Sequence, residues 1–235
     1  MTKTAPALAA DTYARWRATP LGAITEGLET RVVFDMAGPL NSKRVLDIGT
    51  GDGQYALEAA RRGGQIVALD RNQSMLDAAR LRARALDLPL QLHRGDATLL
   101  PFPDGSFDVV LAVTVLCQLP DAAQAVREMS RVLRPGGRLV LADLGRFNLW
   151  AAKRRMQSWL GASFWRSTHF RSQRELCELA RHAGLNVVAV RGTVHYPPSA
   201  LAARVLAPVE PMLTRWRVPG AAFLALAAIR SGTSR

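Results

Sequence analysis

From residue 43 onward, short runs of β-branched and apolar residues alternate with longer segments whose apolar positions recur at helical spacing. That alternation predicts βαβ units and a parallel sheet. Strands are expected over residues 43–48, 65–70, 88–93, 107–113 and 137–143, with helices over 54–62, 73–86 and 121–133. Pro135-Gly136-Gly137 ends the last helix and turns the chain into a strand, because proline lacks a backbone N–H and glycine frees φ. Before residue 43 the pattern is helical in two pieces broken at Pro20. After residue 143 a helix is expected over 148–161, with Leu149, Ala152, Met156, Trp159 and Leu160 on one face. Another helix, 172–183, is stopped by Gly184 and followed by a sixth strand over 185–191. A proline-interrupted stretch, 197–219, leads to an apolar run at 221–229 that reads as a seventh strand, its alanines leaving a helix as the rival.

A chain of 235 residues with 49% hydrophobic and 21% charged side chains suits one α/β domain and excludes disorder as the main theme. No apolar stretch approaches the roughly 18 residues of a membrane span. Lys3, Asp11, Arg15 and Arg17 interrupt the N-terminal Ala/Leu run, so no secretory signal is read there and cytoplasmic residence is expected. Cys117 and Cys177, and the scattered His93, His169, His182 and His195, lack metal-ligand spacing, so no metal is expected. The net charge of +12 is unevenly spread: residues 1–126 carry 13 basic against 14 acidic side chains, residues 127–235 carry 18 against 5. Such asymmetry suits an anionic membrane surface, an acidic substrate or nucleic acid, and equally a solvated basic surface.

The strongest chemical signal is Val45-Leu46-Asp47-Ile48-Gly49-Thr50-Gly51-Asp52-Gly53, a strand ending in an acid, then glycines at alternate positions, then a helix. Glycines there let the chain turn sharply and a ligand lie against the backbone. Dinucleotide folds favour Gly-x-Gly-x-x-Gly, and Asp52 at the helix N-terminus is expected to repel a pyrophosphate. Asp70 ends the second strand, where a carboxylate suits both ribose hydroxyls of a nucleoside; a helix N-cap is the alternative, which Asn72 could supply unaided. Asp96, in Arg94-Gly95-Asp96-Ala97, closes the third strand and suits an adenine amino group. Three acids at the carboxyl ends of successive strands converge on one crevice.

With these motifs, and with Leu100-Pro101-Phe102, Ser106-Phe107-Asp108 and Arg131-Val132-Leu133-Arg134-Pro135-Gly136-Gly137 in the same order, the chain resembles the class I S-adenosylmethionine-dependent methyltransferases. It is most similar to the small-molecule branch that includes ubiquinone and menaquinone biosynthesis enzymes, strongly over residues 43–143. The resemblance implies a single Rossmann-like α/β domain with a seven-stranded, mostly parallel sheet of order 3-2-1-4-5-7-6, strand seven antiparallel, helices on both faces and a helical lid. It implies S-adenosyl-L-methionine as cofactor, its methionine end held by Asp47, Gly49, Thr50 and Gly51, its ribose by Asp70 beside Arg71, and its adenine by Asp96 and Ala97 with Met75 on the ring face. Val113 would lie near the sulfonium. The chain divides accordingly into an N-terminal helical lid (1–40), a cofactor-binding core (41–145), and a substrate cover with the last two strands (146–235).

Methyl transfer from a sulfonium is an in-line displacement from a good leaving group, so alignment supplies much of the rate, roughly 7 to 11 kcal/mol for well-oriented reactants. After the fourth strand stand Thr114-Val115-Leu116-Cys117-Gln118, with no obvious general base. No Asn/Asp-Pro-Pro-aromatic tetrad follows that strand, and nucleic acid is not expected as a partner. Substrate contacts are expected from Tyr13, Trp16, Cys117, Gln118, Trp150 and Arg154. The segment 146–166 combines three tryptophans with five basic residues; it reads as a helical cap with a solvated basic face, or as a surface for anionic lipid. The expected activity is methylation of a small or lipid-like acceptor, and the rival is a cofactor-binding scaffold that uses its basic half for a partner or membrane surface without turnover.

Overall fold

The computed structural model describes residues 10–161 and 163–232; residues 1–9 of the expected N-terminal lid lie outside them. The chain opens with α1 (Ala10–Arg17) and α2 (Pro20–Ala37). They part at Thr19, whose side chain accepts a hydrogen bond from the Gly22 N–H, with Pro20 at the first helical position where a missing N–H costs nothing. There follow β1 (Arg44–Ile48), α3 (Gln54–Arg61), β2 (Gln65–Asp70), α4 (Gln73–Ala85), β3 (Gln91–Arg94), β4 (Phe107–Val113), α5 (Ala122–Val132) and β5 (Leu133–Leu144). The last part comprises α6 (Leu149–Trp159), α7 (Ser163–Arg166), α8 (Gln173–His182), β6 (Leu185–Thr193), α9 (Ala200–Leu206), α10 (Glu210–Arg215) and β7 (Phe223–Arg230).

The seven strands form one sheet in the order β3-β2-β1-β4-β5-β7-β6, parallel except for β7, which runs antiparallel to both neighbours. The alternation of side chains along each strand sorts the core onto two faces. Leu46, Val110, Leu139 and Leu226 pack on one face with α5 and α8; Val45, Val109, Val140 and Ala225 pack on the other with α2. The run at 221–229 is therefore a strand, as its expected place in the sheet requires, and its alanines suit a position covered on both faces.

Three expectations change. β3 starts at Gln91 rather than residue 88, because Pro89 has no N–H to give the ladder. β5 starts at Leu133, which pairs with Phe107; the chain bulges over Pro135 and Gly136 and regains register where Arg138 faces Val109. On α6 the expected apolar stripe is not the packed one: Trp150 and Ala151 are buried, whereas Leu149, Met156, Trp159 and Leu160 face solvent. Asn148 caps this helix through the Ala151 N–H, 2.7 Å from its Oδ1. α10 is tied to the end of β6 by fully buried Glu210, whose carboxylate accepts from Thr193 Oγ1 and the Val194 and His195 amides and contacts the His195 ring nitrogen Nδ1.

Candidate active site

The carboxyl ends of β1, β2 and β4 face a cavity of about 430 Å³, within the range of small-molecule sites. Its floor is the loop after β1, where the Gly49 and Thr50 amides both donate to the Leu69 carbonyl at 2.8 and 3.1 Å. Gly49 and Gly51 have φ of +66° and +55°. A Cβ on Gly49 would stand 2.5 Å from Val115 Cγ2, whereas one on Gly51 would enter open space. Gly49 is thus needed for packing against the β4 loop, and Gly51 leaves its backbone bare for a ligand.

Asp70 Oδ2 accepts from the Gly51 N–H at 2.9 Å and Oδ1 from the Asn72 N–H at 2.8 Å, so one carboxylate joins the glycine loop to the start of α4. The N-cap alternative is resolved at the same time: Asn72 Oδ1 caps α4 by accepting from the Ser74 N–H. Each Asp70 oxygen keeps a lone pair for a ribose hydroxyl. Asp96 Oδ1 accepts from the backbone and hydroxyl of Thr98, which hold its carboxyl below the usual range, and its other oxygen has no partner among the described residues. Thr50, Asp70, Arg71, Met75, Asp96, Ala97 and Val113 line this end of the cavity together. Asp47 does not reach it. Its carboxylate lies beneath the loop, accepts from Thr50 Oγ1 at 2.7 Å, and is pushed up to about 7 by burial, with the Asp70 charge adding to the shift.

The other end is built by elements distant in sequence. Tyr13 and Trp16 on α1, Cys117 and Gln118 after β4, and Arg154 on α6 line it, together with Glu29, Phe164 and Trp165. Trp150 does not: its ring is in the core, and Nε1 donates to the Tyr196 carbonyl at 2.8 Å, anchoring α6 while the aromatic wall is supplied by Trp165. Burial, with buried Asp143 nearby, raises the Cys117 thiol well above its ordinary value; its Sγ–H donates to the Thr114 carbonyl, and it is no ready nucleophile. Gln118 donates to Thr168 Oγ1 at 2.9 Å.

Two features lie outside the reach of sequence patterns. Glu29, on α2, lines the cavity, and desolvation pushes its carboxyl up to about 8 against the opposing pull of Arg154. Asp52 is ion-paired with Arg17 of α1 and with Arg82 of α4, the latter at 2.9 Å. Its charge is compensated, so the expected repulsion of a pyrophosphate does not hold, and the exclusion of a dinucleotide on that ground falls. Its carboxylate instead fastens α1 across the glycine loop.

A mostly parallel sheet of this order, with a glycine loop after β1 and acids closing β2 and β3, defines a nucleoside-binding protein of Rossmann-like architecture. A family model described as a methyltransferase domain matches residues 46–141. The chain is 46% identical over 103 residues to a demethylmenaquinone methyltransferase of Deinococcus radiodurans, the match covering 43% of each protein. It is 32% identical over 177 residues to a ubiquinone biosynthesis O-methyltransferase of Aeromonas salmonicida, covering 71% of this chain and 72% of that one. Among solved structures it is similar to an S-adenosylmethionine-dependent methyltransferase of Thermotoga maritima, described as a possible histamine N-methyltransferase, with a TM-score of 0.71 at 22% identity over 94% of this chain and 95% of that one. The chain belongs to the class I S-adenosylmethionine-dependent methyltransferase family. The match spans less than half the length of the Deinococcus relative.

The site fits the family's cofactor on its own geometry: bare backbone at Gly51, a carboxylate at the ribose position, and an acid and Met75 at the far end.

Proposed function

We propose that the protein transfers a methyl group from S-adenosylmethionine to a small-molecule acceptor. The observation that carries this reading is the continuity of the cavity, whose cofactor end at Gly51, Asp70 and Asp96 opens directly onto an aromatic-walled end at Tyr13, Trp16 and Trp165. When bound, the cofactor supplies a methyl carbon on a positively charged sulfur. Held along Gly51, Asp70 and Asp96, it would present that carbon to an acceptor's lone pair, the sulfur keeping the bonding pair as leaving group. The chain's own task is alignment and exclusion of water, to which α1 and the α6–α7 segment contribute as walls of the cavity. Thr114, with φ of +52°, sits at the turn after β4 where the two ends of the cavity meet. Glu29 is largely protonated at neutral pH and offers a proton-holding group beside the acceptor end.

The acceptor reading extends to lipid-like molecules because Phe147, Leu149, Met156, Trp159 and Leu160 are exposed around α6 beside exposed Lys153 and Arg155, a combination suited to an anionic lipid surface. Incubation with methyl-labelled S-adenosylmethionine and fractionated cell extract tests the central reading: label should enter a small-molecule or lipid fraction. Cofactor binding without label in any fraction would instead support the non-catalytic scaffold.

A further inference from the structure

The acceptor end of the cavity contains a cation that has no counterion among the described residues. Three other arginines on this side of the molecule are each matched by an acid: Arg146 with Glu175 at 2.7 Å, Arg171 with buried Asp143 at 2.9 Å, Arg17 with Asp52. Arg154 has no hydrogen bond or ion pair among the described residues. Its guanidinium is held instead by two rings, 5.4 Å from the centre of Trp150 and 4.8 Å from that of Trp165. Ring contacts fix the plane of the guanidinium and leave its N–H donors unfilled. The surroundings do not supply the missing charge. Glu29 is the acid whose field acts on Arg154 most, but with its carboxyl pushed up to about 8 it carries little charge near pH 7; Tyr13, its phenol pushed up to about 12 by burial, stays neutral. Burial lowers the pKa of Arg154 itself, yet a guanidinium remains charged at neutral pH, and a desolvated charge without a partner is costly.

We propose that Arg154 is an anion-binding subsite for the methyl acceptor, which is an organic anion with an apolar body. This rests on the methyl-transfer reading. The anionic group sits against Arg154, and the apolar body lies between Tyr13, Trp16 and Phe164 on the way to the cofactor end. Arg154 thus selects and orients the acceptor; it takes no part in breaking the carbon–sulfur bond.

The test separates the acceptor before methylation, so that any charge change in the product is irrelevant. Small-molecule extract is passed over an anion-exchange resin at pH 8, and the flow-through and salt-eluted fractions are each offered to the enzyme with methyl-labelled S-adenosylmethionine. Acceptor activity is expected in the salt-eluted fraction. With that fraction, Arg154→Met should raise KM by about 10- to 100-fold, the range for losing a charge-assisted contact, with kcat much less affected, and Arg154→Lys should recover part of the loss. Unchanged S-adenosylhomocysteine affinity in both variants shows that the fold and cofactor end are intact. Acceptor activity confined to the flow-through, or an unaltered KM in Arg154→Met, overturns the anion subsite and leaves methyl transfer standing. No acceptor in either fraction, despite cofactor binding, overturns the methyl-transfer reading and the subsite with it.

Discussion

Replacing Asp52 by asparagine keeps the side chain's size and removes the charge that joins α1 and α4 over the glycine loop. The carboxylate is nearly buried, with 8% of its side chain exposed, and Arg17 and Arg82 approach it from two helices, α1 and α4, distant in sequence. Removing one partner of a buried pair typically costs about 3–5 kcal/mol. Here the cost is smaller, because Arg82 is partly solvated and also donates to Gln54 Oε1, and Arg17 has Glu26 3.6 Å away as a substitute. About 2 kcal/mol is expected for Asp52→Asn and about 1 kcal/mol for Arg17→Met, which leaves Asp52 its second arginine. Among the described residues α1 packs chiefly on α2 and α4, so the loss falls on α1 opening rather than on global unfolding. A cost of 2 kcal/mol corresponds to about 30-fold in the opening equilibrium. Hydrogen exchange of the α1 amides and stopped-flow release of S-adenosylhomocysteine should both accelerate by about that factor in Asp52→Asn, and by less in Arg17→Met. Exchange and release unchanged in a folded Asp52→Asn protein would refute the latch.

Asp70→Asn can retain one acceptor oxygen but turns an amide nitrogen toward a backbone N–H, so calorimetry should show S-adenosylhomocysteine binding weakened by about 1.5–3 kcal/mol; wild-type affinity would count against the ribose assignment. Gly49→Ala should lower the melting temperature more than Gly51→Ala, since only the former drives a Cβ into Val115, while Gly51→Ala, carrying about 1–2 kcal/mol of left-handed strain, should lose cofactor affinity; equal melting shifts would contradict the division of roles. Glu29→Gln concerns pH. Because the folded carboxyl titrates near 8 against an ordinary 4.5, the fold holds a proton that the unfolded chain releases, and wild-type stability falls as pH rises between those values. The variant's melting temperature should therefore gain on wild type through that window and show no charge-linked gain below pH 4.5; a difference constant from pH 4 to 9 would show that Glu29 is not buried as an acid.

The sheet was legible because its information is local. The continuous apolar run through Val109, Val110 and Leu111, whose side chains alternate between two covered faces, caps such as Asn72 and Ser172, and a glycine loop after the strand that carries Asp47 each act within a few residues, and each is written in that stretch of sequence. Where local signals compete, boundaries move: Pro89 shortens β3, and the Pro135-Gly136 turn proves to be a bulge inside a longer β5. The α6 stripe misled because helical periodicity marks an apolar face without saying whether anything covers it. Motifs pointed to residues that line the Gly51, Asp70 and Asp96 end of the cavity; nothing pointed to Glu29, because what distinguishes it from any other helical glutamate is the cavity formed around it by α1, α3 and α6.

Charge shows the same limit more sharply. The sequence places an excess of 13 positive charges in residues 127–235, as if half the molecule were a cationic surface. Folding brings acids of the first half against it: Arg131 meets Asp104 at 2.7 Å, Arg134 meets Asp108 at 2.6 Å, and Arg191 meets Asp35 at 3.7 Å. Exposed pairs of this kind add little stability, but they cancel field locally and remove cations from any binding surface. Arg154 acquires its meaning from that cancellation. One arginine among 18 basic residues carries no message in a sequence, whereas one left without an acid among the described residues, fixed between two indole rings at the wall of a cavity, is what the proposed anion subsite rests on.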